Sequence, residues 1–255
     1  MLLEFLQQLR KKMIKEKNHR WNTRHFEDYT SFLDRTELNR LYPSESWCLY
    51  RTIVSSKNVL DLGCGNGAMS SITKKINKKT KYLGIDHQSN LIEKAKIRFV
   101  HSKFLSSDLT TFLKNNSKKF ELVMAWSVIK SFKNWKFILK KMVESSKKYI
   151  VFDQRVANLK STNFDTKILA ANYGGIKGPL LCINYKNLKR EILKHKRKFL
   201  KVEFMAYQSE WGKNIFFKYK NKVDTFVVTV VITLKKNKRD KFLGIYEQTP
   251  LNLKK

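Results

Sequence analysis

The sequence predicts an α/β protein: a doubly wound, mostly parallel sheet with helices on both faces. Three observations carry that expectation. Short apolar runs alternate with helical stretches from residue 58 to 153, the pattern of a parallel sheet covered on both sides. The first run, Asn58-Val59-Leu60-Asp61-Leu62, breaks into Gly63-Cys64-Gly65-Asn66-Gly67, where three of five positions lack a Cβ and the backbone can approach a ligand. Two long β-prone runs, Phe199 to Tyr207 and Thr225 to Leu234, then close the chain.

Each element has a local reason. Residues 1–25 place Leu2, Leu3, Phe5, Leu6, Leu9 and Met13 at helical spacing among lysines, which predicts a basic amphipathic helix. A short helical segment is expected over 26–43, and a helix capped by Ser44 runs to about Val54. After the glycine turn, Ala68 to Ile76 is the first crossover helix. Lys81 to Asp86 is the second strand, and Ser89 caps a helix carrying Leu91, Ile92, Ala95 and Phe99. Lys103 to Leu105, ending at Ser107-Asp108, is the third strand and Phe120 to Ala125 the fourth. A helix with Trp135, Ile138, Leu139, Met142 and Val143 leads to the fifth, Tyr149 to Phe152. Asn184 or Asn187 caps a helix to about Lys198 before the closing strands.

No Pro/Gly/Ser linker divides the chain, so 1–255 is expected to be a single domain. Its parts are an N-terminal helical cap (1–57), a core (58–153), a ligand-side insert (154–186), a closing helix with two strands (187–234) and a basic tail (235–255). No stretch has the ~18 uncharged apolar residues of a spanning helix. The three cysteines, Cys48, Cys64 and Cys182, form neither a disulfide framework nor a metal spacing, and no metal is expected. With no secretory-signal order at the N-terminus, the expectation is a soluble, cytoplasmic protein.

The net charge of +32 admits two readings. Dense positive charge favours a nucleic-acid or anionic-membrane partner. Lysine, however, outnumbers arginine 42 to 11 and is spread along the chain, a pattern that AT-rich codons also produce. Arginine, the residue suited to bidentate phosphate recognition, is not enriched. Oligomeric state is not legible.

The glycine turn satisfies the dinucleotide pattern G-x-G-x-x-G/A through Gly63 to Ala68, so the turn alone leaves the ligand open. Acids at the strand ends discriminate. Asp61 stands two residues before the turn, Asp86 ends the second strand 19 positions after Gly67, and Asp108 ends the third. An acid behind the turn would repel a pyrophosphate but suits the positive sulfonium and amino groups of S-adenosylmethionine. Asp86 suits a ribose diol, and Asp108 an adenine amino group.

The motifs DLGCGNG, LGID and SSD together resemble the first three cofactor motifs of class I (Rossmann-like) S-adenosylmethionine-dependent methyltransferases, over roughly residues 44–153. The resemblance implies a seven-stranded sheet ending in a C-terminal antiparallel hairpin. It also implies that Asp61, Gly63, Cys64 and Gly65 line the methionine end and that Asp86 and His87 hold the ribose. Asp108 and Leu109 would bracket the adenine, and Ala125 would present cofactor-facing backbone.

The fourth-strand motif, Ala125-Trp126-Ser127-Val128, lacks the Asp/Asn-Pro-Pro-Tyr pattern of amino-group methylases of DNA and proteins. It looks more like small-molecule members, although Lys130 stands where these usually carry an acid. The expected activity is methyl transfer to a small molecule, with a sugar or glycan intermediate in view. An RNA methyltransferase and a non-catalytic binding subunit with this fold are the alternatives, and a dehydrogenase is the weakest. Trp126, Asp153 and Tyr173 are candidate substrate contacts. No catalytic base is assigned: Asp153 is the best placed, with His87, His101, His195 and Glu210 also considered.

Overall fold

The computed structural model describes residues 35–159, 162, 164–173, 176–209, 215–218, 223–250 and 253. The expected helix over 1–25, the first half of the expected segment 26–43, Glu210 and the side chain of Tyr173 lie outside the described residues.

Helix α1 (Pro43–Ile53) begins at Pro43, not after a Ser44 cap. Proline at the first helical position loses no bond, and Glu45 does the capping by accepting the Tyr42 N–H at 2.9 Å. Strand β1 (Asn58–Leu62) turns through 63–67 into α2 (Ala68–Ile76), followed by β2 (Lys81–Asp86), α3 (Ser89–Arg98) and β3 (Lys103–Ser106). Next comes α4 (Leu109–Asn115), a helix the sequence reading missed because it is short and its apolar pattern thin; Asp108 caps it by accepting the Thr111 N–H at 2.8 Å. Strand β4 (Phe120–Ala125), helix α5 (Trp135–Ser145) and strand β5 (Ser146–Ala157) complete the alternation.

The chain from β1 to β3 steps outward along one half of the sheet. It then returns to β4 on the other side of β1, since β1 pairs in parallel with both β2 and β4. The order therefore reverses between β1 and β4, where such sheets hold their ligands. The far half is β5, then β11 (Thr225–Leu234), antiparallel to β5, then β9 (Phe199–Gln208), antiparallel to β11. These seven strands match the expected seven-stranded sheet with its closing hairpin.

Two further strands extend it, β12 (Gly244–Gln248) and β8 (Ile183–Asn184), and the order among the described residues is β12-β9-β11-β5-β4-β1-β2-β3 with β8 on β5. Strand β12 lies parallel to β9 inside the stretch expected to be a basic tail. The exposed β9 edge supplies unpaired backbone groups that override a weakly β-prone, charged sequence. The expected insert is not a plain connection either. β5 runs on to Ala157, and β6 (Leu169–Tyr173) pairs with β7 (Ile176–Pro179) and β10 (Ile215–Phe217) in a second, three-stranded sheet. β8 then pairs with the end of β5 and leads into α6 (Tyr185–Leu193), capped by Asn184 as expected.

The sheet buries both faces. One packs under α4, α5 and α6 through Leu113, Trp135, Ile138, Leu139, Leu188 and Ile192. The other packs under α1, α2 and α3 through Cys48, Leu49, Ile53, Met69, Ile72 and Ile92. Each such side chain is worth about 1.5–3 kcal/mol when fully buried. Together these layers fix the carboxyl ends of β1, β2, β4 and β5 as one rigid rim.

Candidate functional site

The rim begins with the glycine turn. Gly63 (φ +74°) occupies the left-handed region, and a Cβ there would meet Val128 Cγ2 at 2.3 Å. The turn from β1 thus nests against the loop that follows β4, across the switch point. Gly67, also left-handed at φ +80°, starts α2, and a Cβ on it would meet the Phe104 ring at 2.7 Å.

Four of the turn's five N–H groups, those of Gly63, Cys64, Gly65 and Gly67, are already committed. Those of Gly63 and Cys64 donate to the Ile85 carbonyl at 2.7 and 3.0 Å. That of Gly65 donates to Asp86 Oδ2 at 2.9 Å, that of Gly67 to the Cys64 carbonyl at 3.0 Å, and that of Ala68 to Asn66 Oδ1 at 3.3 Å. A phosphate cradle needs such donors free, so a turn with most of them spent internally suits a pyrophosphate poorly.

Two carboxylates flank it. Asp61 is only 2% exposed and accepts a hydrogen bond from the Tyr82 hydroxyl. Burial, opposed by that bond and reinforced by the charge of Asp86, pushes its pKa up to about 7. Asp86, at the end of β2, accepts the Gly65 N–H through one oxygen and the Gln88 N–H (3.0 Å) through the other; His87 Nδ1 lies 3.3 Å from it. A carboxylate has about four lone-pair sites, so further donors can still be accommodated.

The other expected residues fall out unevenly. Cys64 turns its thiol into the core against Gly84, where burial raises its pKa, so only its backbone lies on the rim. Asp108 is exposed at the start of α4, with Leu109 buried behind it, and the Ser107 N–H ties β3 to the Asp86 carbonyl at 2.9 Å. The Ala125 side chain is wholly buried. The backbone of Tyr173 lies in β6, in the second sheet.

Past β4 the chain strains. Ser127 has φ +56°, uncommon for a residue with a Cβ and costing on the order of 1 kcal/mol. The strain points its N–H at Asp153 Oδ1, while its hydroxyl donates to Oδ2 at 3.3 Å. Burial raises the Asp153 pKa against the lowering effects of Ser127 and the nearby Lys130 charge.

Around this pair are Trp126, expected from the sequence, and two groups the sequence did not single out, Thr229 and Tyr207. Thr229 on β11 is in register with Asp153 on β5, fully buried, and its hydroxyl has no hydrogen-bond partner. The Trp126 indole N–H is likewise buried and unpartnered. Tyr207, at the end of β9, lies near Ser44 of α1 and within the field of Asp153, and burial raises its pKa. Buried polar atoms usually find partners, so an unpartnered hydroxyl in register with a carboxylate suits a bound polar group. Only the two-residue alternation of side chains along β9 and β11 could have flagged Tyr207 and Thr229, and it does not reveal which strands neighbour β5.

Parallel strand order, a glycine turn at the switch point and acids at the ends of β1 and β2 define the architecture of a class I S-adenosylmethionine-dependent methyltransferase. Residues 53–196 match the family model described as a methyltransferase domain, and the chain belongs to that family. It is 29% identical over 132 residues to (S)-coclaurine N-methyltransferase of Papaver somniferum, covering 50% of this chain and 36% of that protein. It is 32% identical over 104 residues to putative methyltransferase 235L of Invertebrate iridescent virus 6, covering 39% and 38%. The match thus spans little more than a third of the length of these curated relatives. Among solved structures, the N-terminal domain of EvdMO1 with SAH bound has a TM-score of 0.59 at 12% identity, covering 92% of this chain and 98% of that one. The plantazolicin methyltransferase BamL, in complex with a triazolic desmethylPZN analog and SAH, has a TM-score of 0.54 at 14% identity, covering 92% and 100%.

Proposed function

We propose that the chain transfers a methyl group from S-adenosylmethionine to a hydroxyl of a neutral small molecule, with sugars and glycan intermediates the favoured class. The observation that carries the acceptor half is half-buried Asp153, held by exposed Ser127 at the carboxyl end of β5 and in register with the unpartnered hydroxyl of Thr229 on β11. An anionic acceptor would be repelled by Asp153, whereas a hydroxyl can donate to it and accept from the unpartnered Thr229 hydroxyl.

The residues fit the cofactor. Asp86 retains lone pairs for the ribose hydroxyls, and the carboxylate of Asp61 offsets positive charge at the methionine end. Gly65 keeps that approach free of a side chain, while Leu109 and Asp108 offer an apolar contact and an acceptor to the adenine. The cofactor supplies a methyl group activated by its sulfonium. The protein's part is to align the acceptor oxygen for displacement, which can account for much of the catalysis. Asp153, held by Ser127, is placed to take the hydroxyl proton. Ser127 fixes the carboxylate so that proton acceptance requires no side-chain rearrangement.

Incubation with methyl-labelled S-adenosylmethionine and a cell extract, then separation by size, tests this reading. Label is expected in the small-molecule fraction. Label in RNA or protein alone would contradict it.

A further inference from the structure

Strands β1 to β5 and β9 all start at the end of the sheet opposite the glycine turn, and β11 finishes there. Cations collect at this end. Lys-Lys pairs precede β2 (78–79) and β4 (118–119) and open β5 (147–148). Lys-Arg-Lys precedes β9 (196–198), and Lys-Lys-Asn-Lys-Arg-Asp-Lys follows β11 (235–241). The last two segments are knit together: the Lys235 N–H donates to the Lys198 carbonyl at 3.0 Å and the Leu243 N–H to the Leu200 carbonyl at 2.7 Å. Acids here are spent locally. Glu144 pairs with Lys141 at 2.8 Å, Asp240 accepts the N–H groups of Lys236 and Asn237, and Glu121 accepts that of Lys57. The loops leaving β1, β2 and β3 at the opposite end contain no lysine or arginine over 63–67, 87–88 and 107–108.

Aliphatic side chains protrude among these cations. Val54 after α1, Val100 before β3 and Leu243 before β12 are 48%, 72% and 60% exposed. A single exposed aliphatic residue means nothing, but three at one cationic end form a pattern. A nucleic-acid phosphate backbone rewards the charge and gives the aliphatic groups nothing to enter. An anionic bilayer rewards both, through its surface potential and its acyl boundary. Lysine point charges on flexible stems suit that diffuse attraction.

We propose that the amino-terminal end of the sheet docks on an anionic lipid surface, leaving the glycine turn at the other end open to water. Charge complementarity supplies the attraction and Val54, Val100 and Leu243 the shallow insertion. The fold thereby separates a binding end from a reacting end.

Co-sedimentation of the full chain with phosphatidylcholine vesicles, and with mixed phosphatidylcholine–phosphatidylglycerol vesicles, tests this. Binding is expected only to the mixed vesicles and should weaken with salt. The variant K236Q/K238Q/R239Q should lose about 100-fold in vesicle affinity, at roughly tenfold or less for each charge. Leu243→Ser should lose about tenfold on vesicles and leave binding to polyuridylic acid unchanged. These residues are exposed, and circular dichroism melting checks that the variants stay folded. Equal binding to both vesicle types, or wild-type vesicle affinity in the triple variant, would overturn the proposal. So would a Leu243→Ser variant that binds vesicles as wild type does, which would mark the surface as one for nucleic acid.

Discussion

The hydroxyl of Tyr82 on β2 donates a hydrogen bond to Oδ2 of Asp61 on β1, joining the two strands directly behind the glycine turn. This bond is the polar partner that lets a carboxylate exist inside the sheet beside the cofactor rim. Tyr82→Phe should therefore cost about 1–3 kcal/mol of stability at pH 8, where Asp61 is ionised. It should also weaken S-adenosylhomocysteine binding about tenfold. Urea denaturation and calorimetric titration check the two effects.

Asp61 also sets a pH dependence. Its folded pKa of about 7 lies above the ordinary 3.8, so between those values the folded chain holds a proton that the unfolded chain releases. This group's stabilising contribution is present below pH 4 and is lost as pH rises through 7. Asp61→Asn removes the titration. The variant should melt at least about 3 °C higher than wild type at pH 8 relative to the difference at pH 5. Affinity for S-adenosylmethionine should rise from pH 6 to pH 8 in wild type and stay flat and weaker in the variant. Thermal melting and titration across that range measure both.

Gly63→Ala forces a Cβ into the left-handed region and against Val128. The expected loss is about 3 kcal/mol, of which the backbone contributes about 1. The double variant Gly63→Ala/Val128→Ala should recover part of the loss and not all, because the φ penalty remains. Full recovery in urea melts would show that the clash alone mattered.

Asp153→Asn keeps an oxygen to accept from Ser127 but cannot take a proton. It should lower kcat by about 10²- to 10⁴-fold and leave S-adenosylhomocysteine affinity within about threefold of wild type. Because burial raises the Asp153 pKa, wild-type kcat/KM should climb with pH along a limb the variant lacks. Steady-state kinetics on the labelled acceptor fraction provide the test.

Much of the fold was legible because its signals are local. The glycine turn, Asp86 at a strand end and the apolar runs of β1, β4 and β11 each announce themselves within a few residues. Long-range pairings do not. β12 forms because β9 offers an edge, and β8 because the end of β5 offers another, and neither two-to-five-residue segment is strongly β-prone alone. The site divides the same way. Asp61, Asp86 and Asp153 were visible as acids at strand ends. Tyr82, Val128, Tyr207 and Thr229 became relevant only once strand order brought them beside those acids.

Calorimetric titration of the full chain with S-adenosylhomocysteine at pH 8 tests whether the glycine turn and Asp86 hold the cofactor. One-to-one binding is expected, and Asp86→Ala should abolish it while the variant remains folded. Absence of binding by folded wild-type protein, or equal binding of NAD, would contradict that assignment.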